Sequence, residues 1–420
     1  MAVRTPDLAC PSLEALLQDN TLKPLQWHSI QCQLVTPLYG GGVESATVDE
    51  RMPIRVSAIR GQLRIWWRLL AKHKWKLGSD VAIRQAEFAL WGGMGKEAHA
   101  SEVFLKVENV GEATVVPYKD YATKPNPKNP DKPFSTELAY VFFPAAHEAN
   151  PNVVTHDVIK EGLTWDLHFR FANSLQQDAE RVAQVVETLR WWGQFGGLGF
   201  RSRRGAGAVY ASACKSYPEI ATVPSKQEVE AAGCKLETTQ GKGSAIDLWK
   251  VAVGKLRDFR QAPNVGRNPS STSPAGRSRW PEPDAIRRIQ KRASPKHEPV
   301  HKAGNVFPRG LFGMPIIFHF VDAGEPKDMQ LKPKGKDKER MPSPIIIRPI
   351  FAGQDKDKIK WQPAALLLPF EHLNEMNVEL KDSSHEIALW KPSLAEHVRP
   401  IAEYNATHPL IAFMNYFKKI

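Results

Sequence analysis

The chain has 420 residues, a formal net charge of +12 at pH 7 and four cysteines that lie far apart. Its length suits two domains that each bury a core. The cysteine spacing excludes a CxxC zinc site and a disulfide framework, and no apolar run is long enough to span a membrane. Because the sequence shows neither such a run nor an apolar signal core, the cytoplasm is the expected location. A protein of this charge is expected to bind an acidic partner, most often nucleic acid; a merely solvated basic surface is the alternative.

The first half of the chain contains strand and helix patterns in a definite order. Alternating apolar residues predict strands, and apolar residues at 3.6-residue spacing predict helices. The predicted elements are a strand at 27–35, a helix at 57–75, strands at 102–110 and 163–172, a helix at 178–194 and a strand at 207–211. With a Pro- and Lys-rich insertion at 118–133 set aside, this is the order of the ferredoxin-like βαββαβ unit of RRM-type RNA-binding proteins. Each helix carries a pair of adjacent tryptophans, which are expected to anchor the core.

A row of like charges lies along the helix predicted at 57–75. A basic residue recurs every four positions, at Arg60, Arg64, Arg68 and Lys72. Like charges at this spacing destabilise an isolated helix by about 0.2–0.5 kcal/mol per pair. The row therefore requires either acids packed nearby, with Asp49, Glu50 or Glu87 as candidates, or a bound polyanion such as RNA. Both alternatives remain open at this point.

The segment between the second helix and the last strand of this half is rich in glycine and arginine. Residues 197–207 read GLGFRSRRGAG, in which two Gly-apolar-Gly triplets flank a tip that contains Arg201, Arg203 and Arg204. Glycine adopts positive φ without strain and lets a ligand approach the backbone closely, and arginine donates to phosphate oxygens in pairs. The order helix, loop, strand is the reverse of a Walker or Rossmann phosphate loop. The segment, hereafter the Gly-rich loop, is therefore predicted to seat a polyanion.

The second half of the chain is predicted to be a further α+β domain. Its predicted parts are a polar linker at 216–243, a helix at 244–261, strands at 314–321, 344–351 and 364–370, and an amphipathic helix at 393–419. The domains accordingly span residues 1–215 and 244–420. Within the second domain, the Arg- and Pro-rich insertion at 263–304 is predicted to be a flexible arm on a phosphate backbone, with a solvated loop as the alternative. Trp280 among its arginines suggests base stacking.

Several segments resemble the RAMP superfamily of CRISPR proteins. They are TPLYGGG at 36–42, MPIR at 52–55 and IRGQLRIWWR at 59–68, and the Gly-rich loop fits the superfamily signature G-h-G-x5-G-h-G without a gap. RWPEP at 279–283, LFGMP at 311–315 and SPIIIR at 343–348 are similar to the second half of one subunit family within it, the first subunit of the type III-B Cmr effector complex. The loop alone identifies the superfamily, whereas its combination with the 59–68 helix is more specific.

The resemblance implies two ferredoxin-like domains with insertions, no cofactor, and membership of a ribonucleoprotein with other CRISPR effector subunits. It implies a non-catalytic subunit that contacts the 3′ part of the guide RNA, or the complementary target RNA, or both. The RNA contacts that it implies are Gly197, Gly199, Arg201, Arg203, Arg204, Gly205 and Gly207. Residue patterns add Arg55, Arg60, Arg64, Arg68, Arg279 and Trp280 as candidates.

Ribonuclease activity is the alternative function. Asp49 lies in the loop after the first strand, where the target-cleaving backbone subunits of such complexes carry an aspartate. However, a carboxylate beside Arg51 and Arg55 is more often an ion-pair partner than a catalyst. His28 and His73 are the candidates for a guide-processing general acid or base, but neither has an evident partner, and isolated histidines are mostly structural.

A metal site has one weak candidate. His297 and His301 have helix-compatible spacing, but Pro299 interrupts it and no third ligand is near. We therefore expect neither a metal nor catalysis.

Overall fold

The computed structural model describes residues 26–42, 47–94, 98–148, 156–212, 214–268, 271, 275–335, 339–356, 358–381 and 386–419. Its helices are α1 Val56–His73, α2 Asp80–Trp91, α3 Lys119–Ala122, α4 Phe143–Glu148, α5 Asn173–Gln176, α6 Ala179–Phe195, α7 Lys226–Ala231, α8 Ala245–Gln261, α9 Glu282–Gln290, α10 Arg399–Ala402 and α11 Pro409–Phe417. None of the helices described is both long and apolar enough to cross a membrane.

The strands of the described residues are distributed over several antiparallel sheets. They are β1 His28–Leu34, β2 Leu38–Tyr39, β3 Val103–Glu108, β4 Val115–Pro117, β5 Thr123–Lys124, β6 Phe134–Ser135, β7 Asp157–Ile159, β8 Thr164–Phe171, β9 Val209–Ala211, β10 Lys235–Thr238, β11 Ile316–Phe318, β12 Met329–Pro333, β13 Ile345–Asp355, β14 Lys358–Leu367, β15 Asn377–Leu380 and β16 Glu386–Ala388. The fold is therefore mixed α and β, as the sequence predicts.

The first half is built on a four-stranded sheet of order β3-β8-β1-β9, whose pairs are all antiparallel. The predicted succession of strand, helix, strand, strand, helix, strand is confirmed by β1, α1, β3, β8, α6 and β9. β1 buries alternate residues, so one face of the sheet packs against α1 and α6. The tryptophan pairs lie in this core, and the rings of Trp66 and Trp191 are 5.9 Å apart.

The second half contains a three-stranded sheet of order β10-β14-β13 and a four-stranded sheet of order β11-β12-β15-β16. β10 lies within 216–243, and Leu236 pairs with Leu366 of β14. The segment predicted as a linker is thus folded: β10 joins a sheet of the second half, whereas Val229 of α7 lies in the apolar cluster of the first half. β13 and β14 form a long hairpin whose register shifts between Phe351 and Gly353.

The two halves share their hydrophobic cores. Ala206 of the Gly-rich loop lies in the same apolar cluster as Trp249 of α8, and so does Phe142. In return, Ile346 of β13 lies in the cluster of the first half. The Gly-rich loop therefore lies in the seam between the halves. Its surroundings are for this reason more firmly packed than those of a surface loop.

The prediction of a flexible arm at 263–304 is wrong for its described residues. Trp280 is 1% exposed, and its Nε1 donates to the carbonyl oxygen of Arg260 at 3.1 Å. Arg287 of α9 pairs with Asp284 and with the distant Glu325, each at 2.8 Å. Arg277 also pairs with Asp284, so acids within the segment and beyond it neutralise these two arginines, and the segment packs instead of remaining solvated. Residues 269, 270 and 272–274 of the predicted arm lie outside the described residues.

Candidate functional site

The Gly-rich loop joins α6 to β9, as predicted, and closes into a narrow turn. The N–H of Leu198 donates to the carbonyl oxygen of Gly207 at 2.9 Å, and the N–H of Gly207 donates to that of Pro37 at 2.7 Å. Gly207 has a φ of +64°, and a Cβ on it would lie 2.0 Å from the carbonyl oxygen of Leu198. Only glycine fits there. The fold itself requires this glycine, whether or not a ligand is bound.

The exposed part of the loop is its tip, Gly199, Phe200 and Arg201. Phe200 is 46% exposed, and its N–H donates to the carbonyl oxygen of Tyr39 at 2.6 Å. Arg201 has a left-handed backbone with a φ of 59°. A Cβ on Gly40 would lie 2.8 Å from the ring of Phe200, so the tip packs against Gly40 and presents an aromatic ring and a guanidinium group at adjacent positions. Sequence reasoning missed Phe200, although its place between two predicted RNA contacts was a signal.

The other side of the loop faces the second half of the chain. Arg203 donates to the carbonyl oxygen of Ser343. Arg204 is 9% exposed and donates from Nη2 to the carbonyl oxygen of Phe312 at 2.7 Å. A Cβ on Gly205 would lie 2.4 Å from the carbonyl oxygen of Ile347. The expected exposed basic turn is therefore only half present: Arg203, Arg204 and Gly205 lie in the seam, because carbonyls and close packing occupy them, and Gly207 is buried against Leu198 and Pro37 of the first half.

Positive charge gathers in the seam beneath the tip. Arg260 of α8 donates to the hydroxyl of Tyr140. Burial acts to raise the pKa of that hydroxyl, but the guanidinium groups of Arg260, Arg204 and Arg201 outweigh burial and lower the pKa. Burial also lowers the pKa of Arg204 to about 10. The electrostatic field at this end of the loop is thus positive, which favours an anion at the exposed tip.

The arginine row of α1 has partners within the chain. Glu87 is 3% exposed and accepts from Arg64 Nε and Arg68 Nη1, each at 2.6 Å. Arg60 donates to the hydroxyl of Ser101 at 2.7 Å, and burial lowers its pKa. Of the two alternatives for the row, the structure supplies pairing with acids and hydroxyls nearby. RNA contact by Arg60, Arg64 and Arg68 stays a prediction. A bound polyanion is not needed to stabilise the helix, because partners within the chain already offset the like charges.

Arg55 and Asp49 form an ion pair ahead of α1. The Nη2 of Arg55 donates to Asp49 Oδ2 at 2.8 Å, and the N–H groups of Arg51 and Met52 donate to Oδ1. The hydrogen bond from Arg55, followed by that from Met52, lowers the pKa of Asp49. The carboxylate is thus ionised and its oxygens order the turn that enters α1, which is a structural role.

The remaining candidates are dispersed. Trp280 is buried in the core, so the prediction that it stacks on bases is wrong. Arg279 is half-buried and donates to the carbonyl oxygen of Asn264 at 3.3 Å. His297 and His301 have different partners: His297 Nδ1 donates to a carboxylate oxygen of Glu325, and His301 Nε2 donates to the carbonyl oxygen of Arg279. Among the described residues, no group of three His, Cys, Asp or Glu side chains is arranged to hold a metal ion.

The two catalytic histidine candidates are also apart from the loop tip. His28 contacts the hydroxyl of Ser216 at 3.0 Å and packs against Phe169. Burial lowers the pKa of His28 and of His73. Neither histidine makes a described contact with the other or with Asp49, so the structure does not bring these groups together.

Comparisons with known proteins agree with the pattern of the first half. Residues 31–210 match the model of the RAMP superfamily. The CRISPR system Cmr subunit Cmr1-2 of Pyrococcus furiosus is 28% identical over 186 residues, which cover 42% of this chain and 90% of that relative.

Two solved structures are similar at low identity. The apo crystal structure of Cmr1 from Pyrococcus furiosus has a TM-score of 0.43 and 14% identity, with 86% of this chain and 89% of that chain covered. A cryo-EM structure of the type III-B Cmr-beta bound to cognate target RNA contains a chain with a TM-score of 0.43 and 12% identity, with 90% and 99% covered.

Proposed function

We propose, from the match of residues 31–210 to the RAMP superfamily model, that this chain is an RNA-binding subunit of a type III-B CRISPR effector complex. It binds the 3′ part of a guide RNA, or the complementary target RNA, or both, and it performs no catalysis itself. The similarity to a curated Cmr subunit supports the assignment to such a complex. Its partners are the other subunits of the complex, and it acts in the cytoplasm.

The observation that carries the proposal is the tip of the Gly-rich loop. Gly199, Phe200 and Arg201 are exposed there, while the rest of the loop is fixed in a positively charged seam. An exposed ring and a guanidinium group on a rigid turn are a combination that binds single-stranded RNA by stacking and by phosphate contact. Because such contacts are largely independent of base identity, sequence choice falls to pairing between guide and target.

The two-domain architecture is part of the same proposal. The order β3-β8-β1-β9 in the first half and the β10, α8, β13, β14, α11 succession in the second support two ferredoxin-like units with insertions. The second unit supplies the carbonyls that hold Arg203 and Arg204. It thereby positions the tip for RNA.

RNA binding is tested with the purified full chain and with the assembled complex. The double substitution Phe200→Ala and Arg201→Ala should weaken binding of single-stranded RNA about 10-fold or more at low salt. Arg84→Ala removes an exposed guanidinium elsewhere and should change affinity less than about 2-fold. Equal effects of the two variants, or an unmodified chain without RNA affinity, would contradict the proposal.

The absence of catalysis has its own test. Asp49→Ala, introduced into the assembled complex, should leave the rate and the spacing of target RNA cleavage unchanged. The reason is that both carboxylate oxygens of Asp49 are engaged by Arg55, Arg51 and Met52. Loss of a cleavage product in this variant, with RNA binding intact, would identify the chain as a nuclease.

A further inference from the structure

Beside the Gly-rich loop there is an open hollow of about 760 Å³ between the two halves. Tyr210 and Ser212, on and just after β9, line one side, residues 351–354 of the β13 hairpin line another, and residues 221–223 complete the lining. β9 and β13 are each at the edge of their sheets, so each has one side without a neighbouring strand among the described residues. Below the hollow the strands are joined by Arg348, whose Nη2 donates to the carbonyl oxygen of Val209 at 2.6 Å.

The walls of the hollow are aromatic and uncharged. The rings of Tyr210 and Phe351 are stacked, 5.3 Å apart with an angle of 16° between their planes. Trp361 meets Tyr210 edge-on at 5.5 Å, and Ser212 and Gln354 add polar side chains to the lining. No side chain in the lining carries a charge. The hollow therefore suits an uncharged planar group with a polar edge and disfavours a phosphate.

The backbone of β13 is irregular where it borders the hollow. Its register with β14 shifts between Phe351 and Gly353, and Gly353 has a φ of +121° with no atom within 4 Å of the position of a Cβ. Packing thus does not explain this glycine. A bulge at a strand edge redirects the neighbouring side chain and frees backbone groups, and here it turns the half-exposed ring of Phe351 toward the hollow's lining.

We propose that this hollow binds one nucleobase of single-stranded RNA, which stacks on Phe351 and extends the Tyr210–Phe351 pair. The outer backbone edge of β13, with the side chains of Ser212 and Gln354, provides donors and acceptors for the edge of the base. Tyr210 follows Gly207 by three residues, so the hollow is lined by the strand that continues from the Gly-rich loop. The inference deepens the proposed function, on which it rests for the identity of the polymer.

The test uses a Phe200→Ala background throughout, so that the ring at the loop tip contributes no stacking, and compares single-stranded RNA with the same oligomer in which consecutive nucleotides are abasic. Stacking of a base on an aromatic ring contributes about 1–3 kcal/mol, so the Phe200→Ala chain should bind the normal oligomer about 10-fold more tightly. Phe351→Leu keeps an apolar side chain but removes the ring, and this preference should fall to about 2-fold or less. Phe134→Leu, at a 49% exposed ring remote from the hollow, should retain the full preference.

A second variant and a crosslink make the result independent of folding. Ala352→Trp, at an exposed position on the bulge, should fill the hollow and abolish the preference while Tyr210 and Phe351 remain. Photocrosslinking with 4-thiouridine RNA should label the peptide that carries Tyr210 or Phe351. If Phe351→Leu does not fold, Ala352→Trp and the crosslink decide.

The outcomes separate the two proposals. Binding of RNA with equal affinity for normal and abasic oligomers would overturn the nucleobase site and leave the proposed function standing. No RNA binding at all would instead refute the proposed function. Protection of the amides of residues 351–354 from hydrogen exchange by another subunit, in the RNA-free complex, would identify the occupant as a protein strand and also overturn the nucleobase site.

Discussion

Arg348 and Val209 connect the two halves of the chain directly behind the Gly-rich loop. The Nη2 of Arg348 donates to the carbonyl oxygen of Val209 at 2.6 Å, and its Nη1 donates to that of Gly196. The side chain is buried, and burial lowers its pKa to about 9. One guanidinium group from β13 thus fixes the backbone both before and after the loop, which explains how a surface-exposed tip can be rigid.

Replacing that guanidinium group should loosen the seam. Arg348→Met removes a donor from the buried carbonyl oxygens of Val209 and Gly196, of which that of Gly196 keeps only the long 3.4 Å contact from the N–H of Val209. At about 1–3 kcal/mol for each carbonyl, the free energy of unfolding should fall by roughly 2–4 kcal/mol. Urea denaturation of the full chain measures it. Arg340→Met, at an exposed position, should stay within about 0.5 kcal/mol of the parent. If the free energy of unfolding falls no more for Arg348→Met than for the control, water or a rearrangement must donate to both carbonyl oxygens.

The buried carboxylate of Glu87 should contribute more to the free energy of unfolding than the exposed carboxylate of Asp80. Glu87→Gln leaves Arg64 and Arg68 with a neutral partner and restores their mutual repulsion on α1, so unfolding should become easier by about 2 kcal/mol. Asp80→Asn breaks the exposed pair with Lys72 and should cost less than about 1 kcal/mol. RNA affinity of Glu87→Gln should be unchanged at equal fractions of folded protein. Weaker RNA binding in that variant would indicate that the arginine row of α1 contacts RNA.

Gly207 should tolerate no side chain. Gly207→Ala places a methyl group against the Leu198 carbonyl and should destabilise the chain by more than about 3 kcal/mol or displace the loop. Gly162→Ala has a comparable φ of +99° with nothing within 4 Å of its Cβ position, so only the left-handed backbone costs about 1–2 kcal/mol. Thermal unfolding of both variants separates the two effects. Equal losses would show that backbone strain alone governs Gly207.

His408 should make the stability sensitive to acid. Burial lowers its pKa to about 4, with Glu371 acting in the opposite direction, whereas the unfolded chain has a histidine pKa near 6.5. Between pH 6.5 and 4, the histidine is therefore protonated in the unfolded state and neutral in the folded state. Stability from this group is complete above pH 6.5 and decreases as the pH falls to 4, by roughly 3 kcal/mol in total.

The matching variant is His408→Asn. The histidine accepts from the N–H of Leu410 at the start of α11, and asparagine also caps helices but does not titrate. Urea midpoints at pH 7 and pH 4.5 should therefore differ less for His408→Asn than for the parent chain. An unchanged difference between the two pH values would assign the acid sensitivity to other groups.

The amino-acid sequence by itself determined the elements of the first half and the position of the Gly-rich loop. α1, α6 and β1 follow from periodic apolar residues, and the end of α6 follows from the glycines after it. These features depend on neighbours within a few positions along the chain, so a local pattern suffices. The residues 216–243 were misjudged because a short polar strand such as β10 acquires its stability from pairing with β14.

Only the tertiary structure decided which of the predicted site residues face solvent. Arg64 meets Glu87, Arg204 meets the Phe312 carbonyl, and Trp280 meets the Arg260 carbonyl, each across a separation that no periodicity encodes. The identity of a basic or aromatic residue is the same whether its side chain is paired in the seam or exposed at a surface, so the sequence does not distinguish the two. The difference is set by long-range packing, which also brought Tyr210 and Phe351 together.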